Sequence, residues 1–157
     1  MTVHLEAGDK APAFSLPSSA GGDVTLNELE GKKVVLYFYP ADDTSGCTKE
    51  ACGFRDNKDN LKEENLVVLG VSADDMDSHH RFIDKFDLNF PLLADVDKTV
   101  INSYGVWGEK IVREQPTVGI IRKTFLIDEE GTIMKAWHQV DPEGHAEEIL
   151  EIVRNAS

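Results

Sequence analysis

The sequence predicts an α/β fold in which a central mixed sheet is flanked by helices. Strand-like runs at residues 34–39, 66–73, 123–127 and 132–138 alternate with helix-like runs at 47–64, 75–87, 97–104 and 143–155. The first strand, the first long helix and the second strand make a β-α-β unit, whose two strands should be parallel. By contrast, Asp128-Glu129-Glu130-Gly131-Thr132 reads as a hairpin turn joining the last two strands antiparallel.

Each element has a local justification. The first strand is the apolar run Val34-Val35-Leu36-Tyr37-Phe38-Tyr39. At 100° per residue, Cys47, Ala51, Phe54 and Leu61 share one face of the helix that follows, interrupted by Lys58. Cys52 falls with Asp56, Asp59 and Glu63 on the polar side. Ser72-x-x-Asp75 resembles a capping box before the second helix. Pro91, Pro116 and Pro142 are expected between elements or at a helix start, where a missing N–H costs little. The segment 105–118 has mixed composition and reads as a loop that bears on the site. No repeat, low-complexity tract or linker interrupts the chain, so residues 1–157 are expected to form one domain.

Composition excludes several classes of function. The chain has 157 residues, 41% of them hydrophobic, enough for a sizeable core. A net charge of −13 would repel phosphates, and no basic cluster offsets it, so no nucleic-acid partner is expected. The longest apolar runs are strand-length, far short of the roughly 20 residues a membrane helix needs. The first ten residues lack the basic and apolar regions of a secretory signal, which makes the expected address cytoplasmic. There, two cysteines point to catalysis or redox sensing rather than a permanent staple. His4, His138 and His145 are scattered without metal-ligand spacing, and His79 and His80 read as solvated on a charged helix. No metal or cofactor is expected. Trp107 and Trp137 read as core or pocket walls.

The chemistry is concentrated at Cys47. It follows the first strand and the tight segment Pro40-Ala41-Asp42-Asp43-Thr44-Ser45-Gly46, opens a helix, and has the chain's other cysteine, Cys52, five residues on. An unperturbed thiol, with a pKa of about 8.5, is only about 3% thiolate at pH 7. The free N–H groups and positive dipole end of a first helical turn favour the anion. Asp42 and Asp43 oppose it, so a cation must come from elsewhere in the fold. Arg122 fits, flanked by apolar residues at a strand start in Gly119-Ile120-Ile121-Arg122-Lys123-Thr124-Phe125-Leu126, with Lys123 as the solvent-facing cation. An ordinary surface arginine is the other reading.

Residues five apart in an ideal helix have Cα atoms about 8.7 Å apart, from 1.5 Å rise and 100° per residue. A disulfide needs less than about 7 Å. Cys47 and Cys52 therefore cannot bond while the helix is intact, and oxidation must be coupled to unwinding of its first turns. Gly53 agrees, because a helical glycine weakens a helix by about 0.5–1 kcal/mol relative to alanine.

Pro40-x-x-x-Thr44-x-x-Cys47, then Thr48-Lys49-Glu50-Ala51-Cys52-Gly53-Phe54-Arg55-Asp56, and later Arg122-x-Thr124-Phe125-Leu126-Ile127-Asp128, closely resemble the peroxiredoxins of the PrxQ or bacterioferritin comigratory protein type. The resemblance runs from Gly8-Asp9-Lys10-Ala11-Pro12-Ala13-Phe14 through Asn102-Ser103-Tyr104-Gly105-Val106-Trp107 to the final helix. It implies a thioredoxin-like fold and a thiol peroxidase. In that scheme Cys47 is the peroxidatic cysteine, Cys52 the resolving cysteine, Thr44 and Arg122 hydrogen-bond peroxide and thiolate, and Pro40 shields the site from water. Gly46 and Glu50 are supporting residues. Glu50 either orients Arg122 by an ion pair or serves as a first-turn glutamate favourable to the helix dipole. Ser45 stands where the subfamily often has proline, which changes loop stiffness only.

The implied partners are hydrogen peroxide or organic hydroperoxides and an external dithiol reductant of thioredoxin type, since the chain has no Cys-x-x-Cys pair of its own. Family members occur as monomers and as homodimers. Two rival readings stay open: a redox sensor that switches without turnover, and a thiol-disulfide exchange protein. The four-residue gap between the cysteines disfavours the latter.

Overall fold

The computed structural model describes residues 5–112 and 114–156. His4, part of the N-terminal reading, lies outside them. The strands are β1 (Ser15–Pro17), β2 (Asp23–Thr25), β3 (Lys33–Phe38), β4 (Leu66–Ser72), β5 (Leu92–Ala94), β6 (Trp107–Val112), β7 (Gln115–Ile120), β8 (Lys123–Ile127) and β9 (Ile133–Trp137). The helices are α1 (Ser45–Asp56), α2 (Lys58–Glu63), α3 (Met76–Phe86), α4 (Thr99–Ser103) and α5 (His145–Ala156).

Five strands form the central sheet in the order β5-β4-β3-β8-β9. β3 runs parallel to β4, and β4 to β5, whereas β3–β8 and β8–β9 are antiparallel. The sheet is mixed, as expected, and the β3-α1-β4 unit is parallel. The 128–132 turn closes β8 onto β9: Asp128 N–H donates to Thr132 O at 2.8 Å, and Gly131 takes φ +86°, a conformation glycine adopts without steric cost.

From Val34 onward β3 is apolar because both of its faces are covered. Val35, Tyr37 and Tyr39 point into a core with Cys47, Ala51 and Phe54 of α1, Phe82 of α3, and Ile149, Leu150 and Val153 of α5. Val34, Leu36 and Phe38 point the other way, against Phe14 and Leu16 near the N-terminus and Val100, Ile101 and Tyr104 around α4. The strand's period-2 alternation thus hands every second side chain to a different layer.

Several boundaries differ from the sequence reading. The run 47–64 is two helices, broken at Asn57, whose Nδ2 donates to Gly53 O at 2.9 Å and to Glu147 Oε1 at 3.1 Å; a side-chain amide here competes with the backbone for a helical carbonyl. The capping box is not realised. Asp75 itself caps α3 by accepting from Ser78 N–H at 2.9 Å, while Ser72 closes β4. The segment read as a loop at 105–118 is mostly the β6–β7 hairpin, and Pro116 lies inside β7, in a two-stranded ribbon where a missing N–H is tolerated. β1, β2 and β5 have three residues each, too short for periodicity to show. Trp107 is 37% exposed on the hairpin rather than buried, whereas Trp137 is in the core.

Candidate active site

The chain leaves β3 at Phe38, crosses the loop 39–44 and enters α1 at Ser45. Thr44 is the N-cap, in extended conformation, and its Oγ1 donates to Ala41 O at 3.1 Å rather than capping the helix. Cys47 is the third helical residue. It lies within the first turn, where backbone N–H groups lack intrahelical partners. Its side chain is buried, in the same core as Tyr37 of β3 and Tyr39 just beyond it. Pro40 is half-buried in the same loop.

Arg122 occupies the two-residue gap between β7 and β8. The β3–β8 register pairs Phe38 with Lys123, so Arg122 falls beside the end of β3, where the active-site loop begins. Its Nη2 donates to Cys47 Sγ at 3.1 Å and its Nη1 to Glu50 Oε1 at 2.6 Å. The planar fork thus spans a sulfur and a carboxylate at once, a geometry lysine cannot reproduce. Gly46 makes room for it: a Cβ there would lie 3.2 Å from Nη2 and 3.6 Å from Pro142 Cγ.

Of the two readings for Glu50, the ion pair is the one realised. Cys47, Glu50, Ala51 and Phe54 form the buried stripe of α1 at i, i+3, i+4 and i+7. Burial pushes the Glu50 carboxyl up to about 7, with Arg122 drawing it back down, and its Oε2 has no hydrogen-bond partner. Burial lowers the tendency of Arg122 to stay charged, but Glu50 and Cys47 more than offset it, and the guanidinium is held above its ordinary value.

Cys52 is half-buried on another face of the same helix, and both cysteines are free thiols. The structure therefore holds the pair in the helical arrangement that the spacing predicts, with α1 continuous from Ser45 to Asp56.

The two aspartates expected to oppose a thiolate are each compensated. Asp43 pairs with Lys85 at 2.8 Å. Asp42 pairs with His79 at 2.8 Å. His79 corrects the reading of a solvated histidine: it is fully buried on α3. Its place three and four residues before Phe82 and Ile83, on the apolar stripe of the helix, was the available signal. Lys123 is half-buried rather than simply solvent-facing.

Two further groups near the site carried no sequence signal. Lys110 of β6 donates to Ile120 O at 2.7 Å; burial pulls its pKa down, and the negative charge available at Cys47 pulls it back up. His145, at the start of α5, packs edge-on against Phe54 with centroids 6.0 Å apart and places Nε2 2.9 Å from Thr124 Oγ1. Burial lowers its pKa. Among the described residues no group of three or more His, Cys, Asp or Glu is arranged to hold a metal.

A buried thiol at a helix start, faced by a fixed guanidinium on a mixed five-stranded sheet, defines the thioredoxin-fold thiol peroxidases as a class. The description of the AhpC/TSA family matches residues 7–136, and the chain belongs to that family, within its PrxQ or bacterioferritin comigratory protein branch. It is 50% identical over 148 residues to a putative peroxiredoxin bcp of Coxiella burnetii, covering 94% of this chain and 98% of the relative. Peroxiredoxin Bcp of Escherichia coli K12 is 44% identical over 146 residues, 93% of this chain and 94% of that one. Among solved structures, a cysteine-to-serine mutant of PrxQ from Xylella fastidiosa superposes with a TM-score of 0.91 at 35% identity, covering 98% of both chains. The bacterioferritin comigratory protein of Xanthomonas campestris, studied as trapped intermediate and ligand complexes for alkyl peroxide reduction, gives 0.87 at 34% identity over 96% of this chain and 98% of its own.

Proposed function

We propose that the chain reduces hydrogen peroxide and organic hydroperoxides through Cys47, with Cys52 as the resolving thiol. The observation that carries this is the Arg122 guanidinium 3.1 Å from Cys47 Sγ, locked from behind by Glu50. A cation donating to sulfur favours the thiolate, which is the nucleophile. The thiolate attacks one peroxide oxygen, the O–O bond breaks, water or alcohol leaves, and Cys47 becomes a sulfenic acid. Arg122, with the first-turn N–H groups of α1, stabilises charge developing on the oxygens as an oxyanion hole does.

Thr44 is assigned to peroxide binding once its hydroxyl turns from Ala41 O, and Pro40 to keeping water from the sulfur. Gly46 supplies the clearance that lets the guanidinium approach. Cys52 condenses with the sulfenic acid after α1 melts locally, releasing water and forming the disulfide. An external dithiol protein of thioredoxin type then reduces it. The protein is further proposed to act as one domain in the cytoplasm, as a monomer or homodimer and without nucleic-acid or membrane partners; no described helix is long and apolar enough to cross a membrane.

Peroxide consumption with thioredoxin, thioredoxin reductase and NADPH tests the reading. Cys47→Ser should be inactive, and Cys52→Ser should complete one turnover and then stall. A single stoichiometric burst in the wild type would instead identify a sensor. Reduction of insulin disulfides without peroxide would identify an exchange protein.

A further inference from the structure

Beneath the loop that carries Thr44 lies a buried charge that this chemistry does not use. His79 has no solvent exposure, and both of its ring nitrogens face acceptors: Nδ1 is 2.8 Å from Asp42 Oδ2, and Nε2 is 2.9 Å from Leu93 O. A neutral imidazole has one N–H and can satisfy only one of them. Two acceptors therefore require either an imidazolium or a protonated Asp42. Asp42 has the surroundings of an ionised carboxylate, because Tyr39 Oη at 2.6 Å and Ser78 Oγ at 2.8 Å also aim at its oxygens. Although burial opposes it, these contacts hold Asp42 below the ordinary carboxylate range. Burial likewise opposes a charged His79, and Asp42 with the Leu93 carbonyl outweighs it and raises the ring's pKa.

The same loop is fastened a second time. Asp42 N–H donates to Asp74 Oδ2 at 2.8 Å, and Ser72 Oγ donates to that same oxygen at 2.8 Å. The groups around His79 are thus Asp42 from the loop, Asp74 from the β4–α3 connection, Leu93 O from β5 and Ser78 from α3 itself.

We propose that the His79–Asp42 pair pins the active-site loop and thereby sets how oxidised Cys47 is partitioned, with His79 as a positioning residue; this rests on the peroxidase reading. A sulfenic acid at Cys47 has two exits. A second hydroperoxide can transfer an oxygen to the sulfur, giving sulfinic acid and releasing water or alcohol. Alternatively the Cys52 thiol displaces water and forms the disulfide. The first exit uses the folded site. The second requires the first turns of α1 to melt, because helical spacing holds the Cα atoms about 8.7 Å apart. The pinned loop leads directly into Thr44 and α1, so a stronger pin prolongs the folded state and favours the first exit.

The test compares reduced wild type, His79→Gln and Asp42→Asn, with folding checked by far-ultraviolet circular dichroism. In Asp42→Asn the introduced amide can donate to Nδ1 while a neutral ring donates Nε2–H to Leu93 O, so that variant removes the charge and keeps the bonds. Ring nitrogen-15 NMR should show two protonated nitrogens on His79 at neutral pH in wild type and one in Asp42→Asn. After hydrogen peroxide treatment, mass spectrometry should find the sulfinate-to-disulfide ratio lowered about tenfold in His79→Gln and about threefold in Asp42→Asn, as expected for losing a charge-assisted hydrogen bond and for keeping a neutral one. Amides 41–46 should exchange faster in both. A neutral ring in the wild type, or unchanged ratios in folded variants, overturns the proposal. If His79→Gln does not fold, Asp42→Asn decides alone, and an unchanged ratio there overturns it. A wild type whose Cys47 is not oxidised by peroxide defeats the peroxidase reading instead, and ring protonation with amide exchange then judges the pin.

Discussion

Arg122 and Glu50 form a unit whose two ends do different work. The guanidinium faces the sulfur, and the carboxylate fixes the guanidinium at 2.6 Å from a fully buried position. Arg122→Ala should lower the rate of Cys47 oxidation about 100- to 1,000-fold, the usual cost of removing a donor from an oxyanion site. Arg122→Lys should recover little of it, because a point charge cannot contact both partners. Stopped-flow oxidation of the reduced protein measures both, and near-wild-type rates would remove Arg122 from the mechanism. Glu50 adds a pH dependence. The folded protein keeps its proton up to about pH 7, whereas the unfolded chain releases it near the ordinary value of 4.5. Folding takes up a proton in that window, so this group's contribution to stability falls as pH rises through it. Glu50→Gln cannot titrate. Denaturant unfolding of the two proteins should therefore show wild type losing stability relative to the variant from about pH 4.5 to about pH 7, and a constant difference would contradict the assignment.

At the scale of the element, the proposed mechanism asks two incompatible things of α1, to present Cys47 when folded and to release it to Cys52 when melted. Gly53 sits in its C-terminal half with open space around the position a Cβ would take. Gly53→Ala should stabilise the helix by about 0.5–1 kcal/mol and slow disulfide formation about two- to fivefold. Quench-flow with mass spectrometry reads that step, and an unchanged rate would uncouple it from helix melting. The inward stripe of this helix was legible in sequence, because Cys47, Ala51 and Phe54 at helical spacing need no tertiary information. Its end at Asn57 was not, since Leu61 continues the same periodicity beyond it and the break comes from a side-chain amide that also reaches Glu147 on α5.

For the whole molecule, the central sheet decides which residues meet. Gly70 on β4 lies opposite Tyr37 on β3 and Leu92 on β5; a Cβ there would sit 2.8 Å from Tyr37 Oη and from Leu92 Cδ2. Tyr37 stacks on Phe54 of α1 with centroids 4.8 Å apart, so the missing side chain at Gly70 sets the floor under the active-site helix. Gly70→Ala should cost about 1–3 kcal/mol of stability by overpacking, read as a lowered denaturation midpoint. A midpoint equal to wild type would mean that Tyr37 repacks freely.

The β3-α1-β4 unit, the β8–β9 hairpin, the placement of Cys47 at a helix start and the separation of the two cysteines were set by local patterns, namely strand and helix periodicity, turn chemistry and the fixed rise of a helix, whereas the short strands β1, β2 and β5 and the β6–β7 hairpin were not. Arg122 could be nominated from its apolar flanks, but its meeting with a sulfur 75 residues away depends on the β3–β8 register, a long-range pairing that no window of sequence encodes. The ionisation of Glu50 and the burial of His79 likewise came only with the tertiary structure. A charge's environment is made by whatever packs around it, and for both residues those neighbours come from distant parts of the chain.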